Sequence, residues 1–328
     1  MTGARLELTR EQILAFRRRV GALDERLPPG RRSLRQAAWA GLQDSVPRSA
    51  LHSIHARVEG TTPTTWEDPA LVQLWGPRFV VFVVASRDLP VFSLGTMPDD
   101  AKGRRKAEDL AARLHAFLDG GRMTYGEAGH GLGVHPNQLR YAAATGTVLI
   151  RWEGARLPMI WTVPPPAMDA GEARLELARR YLRVSGPATP ESFARWAGIG
   201  ARHGNAAFDA LRGSLTPVGT PIGEAWILTK DEPTIRAEPG PTAPARLLPS
   251  GDPYYLLRGR DRSPDNEKKE KGTHHSARTV PADLAGRTIV CAGASEEKNR
   301  LPVPACRARR GPSRPCPIRL AYSPGRKT

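Results

Sequence analysis

Cysteine is missing from the first 290 residues of this 328-residue chain, its three copies being Cys291, Cys306 and Cys316. A body without thiols is not held by disulfides and suits a reducing compartment. Long apolar runs are also missing. None approaches the roughly 20 residues needed to span a bilayer, and the first residues lack the apolar stretch of a secretory signal, so a cytoplasmic protein is expected. Phosphate-cradling glycine loops, metalloprotease motifs and paired CxxC spacings do not occur. His52 and His55 lie one helical turn apart without the further ligands a metal needs, so neither a metal nor a cofactor is expected. Acidic residues are scarce beside basic ones: 33 Asp and Glu face 49 Lys and Arg, a net charge of +16. Such an excess suits a polyanion, nucleic acid before an anionic membrane surface.

What is present is unevenly arranged. Residues 263–328 carry 14 basic and 6 acidic side chains, leaving the body at +8, and they hold none of the seven tryptophans. That arginine-, proline- and serine-rich tail has no sustained periodicity. It is expected to be disordered, or to be the product of a reading-frame shift near Ser263, because it cannot bury enough surface to offset chain entropy. Residues 241–262 read as the start of a truncated or altered β region.

In the body, Thr9-Arg10-Glu11-Gln12 has capping-box spacing and predicts a helix to about Gly21. Leu34, Ala37 and Ala38 mark a second helix, and Pro47 to Glu59 a third, capped by Asp44 or Ser45. A fourth helix is expected from Thr65. The run Arg78–Val84 reads as a strand with which Asp88–Phe92 pairs back.

Residues 124–161 and 189–226 then match at a constant offset of 65, aligning Thr124 with Thr189, Gly133 with Gly198 and Trp161 with Trp226. Each copy reads as a helix, a capped short helix, a third helix and a hairpin. That order describes a winged helix, whose third helix can enter a major groove. The expected fold is α+β, mainly α, with three tandem winged helices: 1–97, with the Gln43 turn, 98–166 and 167–240. Asn137, Gln138 and Arg140 head one third helix and have the chemistry of base-edge readers. Arg48, His52, Arg151, Arg156 and Arg202 are further candidate contacts to DNA.

The stretches Leu8–Arg17, Ala40–Val58, Leu74–Phe79 and Leu247–Asp252 give the chain a resemblance to the AlkZ-like DNA glycosylase family over about residues 5–262. The most specific is Gly41-Leu42-Gln43-Asp44-Ser45. The resemblance implies a curved basic body of three winged helices, and cleavage of the N-glycosidic bond of N7-alkylated purines or unhooking of crosslinks. It also implies a catalytic pair, Gln-x-Gln or Gln-x-Asp. Gln43 matches its first member, and Ser45 stands where the second would be. Asp44, Arg57 and Arg78 are candidate supporting residues, Arg57 and Arg78 as phosphate contacts or structural ion pairs. The expected partner is double-stranded DNA, alkylated or crosslinked, bound by a monomer with no membrane involved. The alternative is a non-catalytic winged-helix DNA-binding or regulatory protein.

Overall fold

A computed structural model describes residues 5–46, 48–153, 158–240, 244–249, 251–256 and 290–292. After a short strand, β1 (Leu6–Glu7), Thr9 and Gln12 exchange the two bonds of the capping box and start α1 (Arg10–Val20). α2 (Arg31–Ala37), β2 (Leu42–Gln43) and α3 (Ser49–Arg57) follow. The fourth helix expected at Thr65 is a single 3-10 turn, Thr65–Glu67, which tucks Trp66 into the interior.

The next strand pair lies one element earlier than its apolar run implied. β3 (Leu71–Trp75) pairs antiparallel with β4 (Val81–Ala85). Arg78 cannot begin β4, because Arg78 and Phe79 hold left-handed φ values of 58° and 55° in the turn that joins the strands. Asp88–Phe92, expected to pair back as a strand, instead leads into and forms most of helix α4 (Leu89–Leu94). It has Pro90 in its first turn, where a missing N–H costs nothing. With β3 already paired to β4, the apolar side chains Val91 and Phe92 bury from a helix instead.

Each copy of the repeat folds as three helical segments followed by a hairpin. The first copy runs through α5 (Ala101–Leu118), β5 (Met123–Thr124), α6 (Tyr125–Gly131), a helical stretch Pro136–Thr145, β6 (Val148–Arg151) and β7 (Met159–Thr162). The second runs through α7 (Ala170–Ser185), α8 (Pro190–Ala197), α9 (Ala201–Leu211), β8 (Leu215–Thr220) and β9 (Gly223–Leu228). Thr124 and Thr189 cap α6 and α8 through reciprocal bonds with Glu127 and Ser192. The copies differ at the third helix: α9 is α-helical, whereas Pro136–Thr145 is a 3-10 coil. His135 accepts the Asn137 N–H at its start, and the small side chains of Ala142, Ala143 and Ala144 are all buried in its tighter winding.

Two sheets organise these parts. Gln73 of β3 pairs with Ile150 of β6, so the two hairpins fuse into one six-stranded sheet of order β2-β4-β3-β6-β7-β5. β1 instead lies parallel to β8 in a three-stranded sheet with β9. The main core forms where α7, α8 and α9 cover β3, β4 and α4, around Leu74, Phe82, Phe92, Leu177, Phe193 and Phe208. Each such side chain, taken fully from water, contributes roughly 1.5–3 kcal/mol. A second cluster, Leu114, Leu139, Ile150 and Ile160, fills the first copy.

The chain continues through α10 (Glu232–Arg236), β10 (Leu247–Pro249) and α11 (Pro253–Leu256). β10 pairs in parallel with β11 (Val290–Ala292), a strand inside the stretch expected to be unstructured. The remainder of that tail lies outside the described residues. Among the described residues no helix is long and apolar enough to cross a membrane.

Candidate functional site

Strand pairing decides which side chains of the Gln43 turn face outward. β2 is held against β4 by Leu42 opposite Val83 and Gln43 opposite Phe82, and the Asp44 N–H donates to Val81 O at 2.7 Å. Alternation along this extended segment turns Leu42 and Asp44 inward. Gln43 is left half-buried and Ser45 exposed.

The buried Asp44 carboxylate is fully engaged. It accepts the Ala50 N–H at 2.9 Å and the Ser49 hydroxyl at 3.2 Å, which places its charge at the positive end of α3. Its other oxygen accepts the Gln73 amide at 2.7 Å, and Gln73 in turn accepts the Trp152 N–H at 2.8 Å. Burial pushes the Asp44 pKa up, against the lowering effect of these bonds. Asp44 therefore supports the turn from inside and does not reach its outer face.

On that outer face Gln43 Nε2 donates to Ser45 Oγ at 2.6 Å, and Arg78 Nη2 donates to Gln43 Oε1 at 3.3 Å. Arg78 is aimed by its left-handed turn. Gly198, at φ 74° after α8, packs so closely that a Cβ there would lie 2.9 Å from Arg78 N. The next residue, Phe79, meets the Tyr141 ring edge-on at 4.8 Å. Gly251 backs Gln43 from the other direction, where a Cβ would sit 3.4 Å from Gln43 Cβ. Its neighbour Asp252 is fully buried and holds Arg57 in a bidentate ion pair at 2.7 and 2.8 Å. Arg57 thus anchors the Gly251 segment to α3 and is not on the surface.

The other candidates fall into separate groups. Arg48 and Arg151 both lie over the Trp66 ring, at 3.3 and 4.4 Å from its centroid. Arg140 donates to Asn137 at 2.7 Å, with Gln138 exposed beside them. His52 on α3 and Arg202 on α9 are exposed, and Arg156 lies outside the described residues. His55 bonds Thr61 Oγ1 at 2.7 Å. Among the described residues no group of three His, Cys, Asp or Glu side chains could hold a metal ion.

Sequence reasoning assigns Gln73 no role and Trp66 only a place in an expected helix start. A lone amide within the apolar run Leu71–Trp75 was the available signal for the first, since a buried amide needs partners. Nothing local marked the second.

A family model described as "DNA glycosylase AlkZ-like" matches residues 36–265. Among solved structures, the chain is similar in fold to the DNA glycosylase AlkZ of Streptomyces sahachiroi, with a TM-score of 0.68. Their sequences are 18% identical, and the match covers 90% of this chain and 93% of that one. No curated protein matches the chain in sequence.

Proposed function

The chain belongs to the AlkZ-like DNA glycosylase family, and on that premise we propose that it is a monofunctional DNA glycosylase that releases N7-alkylated purines or unhooks crosslinks made through them. Its body is read as three winged helices, 1–97, 98–166 and 167–240, that hold double-stranded DNA as a monomer. The helix, helix, helix, hairpin order of both repeat copies supports that reading. DNA contacts are assigned to Arg48, His52, Asn137, Gln138, Arg140, Arg151, Arg156 and Arg202.

The observation that carries the proposal is the Arg78–Gln43–Ser45 chain of hydrogen bonds on the face opposite Asp44. N7 alkylation makes the purine a cationic leaving group, so no strong acid is required. Water attacks C1′, the C1′–N9 bond breaks with its electron pair going to the base, and the proton of the water passes to solvent. The carboxamide oxygen of Gln43 has a second lone pair beyond the one facing Arg78, and it can orient that water. Its dipole stabilises positive charge developing on the sugar. Ser45 fixes the amide by accepting from Nε2.

Incubation with a duplex containing N7-methylguanine tests this. The unaltered protein should release the base, and Gln43→Ala should abolish release while binding stays nearly intact. Release that persists in the variant refutes the site. Binding without release by the unaltered protein would favour a non-catalytic DNA-binding protein, a reading to which the serine at position 45 lends weight.

A further inference from the structure

Arg48 and Arg151 share one indole although both are cations. Burial disfavours the Arg48 charge most, and Arg151 adds to that as a like charge, against attraction from Asp44 and Glu67. Asp44 already accepts three bonds from other groups. Arg48 holds a left-handed φ of 72°, a conformation that costs a residue with a side chain energy. Its buried Nη1 has no hydrogen-bond partner. Two guanidinium groups gathered on one ring, neither in an ion pair with a carboxylate among the described residues, suit an anionic ligand between them.

The two guanidinium groups are also positioned by one device. Arg48 precedes α3, whose Ala50 N–H is held by Asp44. Arg151 precedes Trp152, whose N–H is held by Gln73, itself bonded to Asp44. Asp44 is the residue after Gln43, so the pair is tied to the turn that carries the candidate chemistry.

We propose that Trp66 is a positioning residue that makes Arg48 and Arg151 a single clamp for one backbone phosphate of the DNA beside Gln43. The clamp rests on the DNA-binding part of the proposed function and needs no base release. Guanidinium groups suit it because they stack on an aromatic face while presenting paired donors to phosphate oxygens.

The test is the salt dependence of binding to an undamaged duplex. Each phosphate neutralised contributes about 0.9 to the slope of log K against log salt. Arg48→Gln and Arg151→Gln should each make the slope shallower by about 0.9 and weaken binding in 0.1 M salt roughly tenfold. The double variant should lose no more than either single one, because one phosphate is shared. Trp66→Leu, which removes no charge, should reproduce that loss, whereas Trp66→Phe should retain most of the clamp. Additive slope changes in the double variant, or an unchanged slope in Trp66→Leu, would overturn the proposal. Gln43→Ala should leave the slope unchanged, which separates failure of the clamp from failure of the glycosylase reading.

Discussion

Replacing Asp44 by asparagine keeps the shape of the buried turn but breaks its hydrogen-bond logic. The carboxylate accepts on both oxygens, from Ala50 and Ser49 on one side and from Gln73 on the other. Asparagine can serve the first side with its oxygen, and its NH2 then faces the Gln73 NH2. Flipping Gln73 cures that contact and turns its NH2 toward the Trp152 N–H, which had donated to it at 2.8 Å. Either way one buried donor faces another, a loss of roughly 1–3 kcal/mol. Removing a buried charge offsets part of it, so about 2 kcal/mol is expected, or roughly 3–4 °C in melting temperature for a chain of this length. Burial holds the folded Asp44 pKa above its unfolded value. Its contribution to stability is therefore complete below the unfolded pKa and is lost as pH rises through the folded one. The gap between the unaltered protein and Asp44→Asn should narrow over that rise. Adding Gln73→Glu supplies an acceptor both for the new NH2 at position 44 and for Trp152, so the double variant should recover most of the loss. Gln73→Glu alone opposes two carboxylates and should be the least stable of the three. Urea denaturation followed by circular dichroism measures all of these. An Asp44→Asn loss below about 0.5 kcal/mol, or no recovery in the double variant, would refute the network.

Ser45→Gln supplies the second carboxamide that the family resemblance implies and should raise base release by up to about a hundredfold, the value of one positioned dipole; an unchanged single-turnover rate would remove position 45 from the chemistry. Asp252→Ala leaves the Arg57 guanidinium buried and unpaired, at a cost of about 3–5 kcal/mol. A loss under about 1 kcal/mol in denaturant titration would contradict that. Gly198→Ala forces a side chain into a left-handed position beside the Arg78 backbone. It should lower stability by on the order of 1–2 kcal/mol and reduce base release, read from a thermal melt and from the N7-methylguanine duplex.

The helix starts at Thr9, Thr124 and Thr189 were legible because a capping box is written within four consecutive residues. The hairpins of the repeat were legible for a similar reason, since their paired strands are close in sequence. β3 was obscured by Gln73, a polar residue whose partners at positions 44 and 152 are distant in sequence. Arg78 looked like the first residue of a strand because its left-handed turn depends on packing against Gly198, which no local pattern encodes. At the site, the resemblance supplied Gln43 and Ser45, and the structure added their mutual bond and the approach of Arg78. The role of Asp44 was hidden, since its inward direction follows from how β2 pairs with β4.

The parallel pairing of Leu6 with Val218 has a consequence for the order of assembly. β1 can find its partner only after about 210 further residues have been joined, roughly 10–40 s at usual rates of synthesis. Until then Leu6 and Leu8 have no Val218 or Ile227 to cover them. Of the three strands of its sheet, β1 therefore waits longest for a partner.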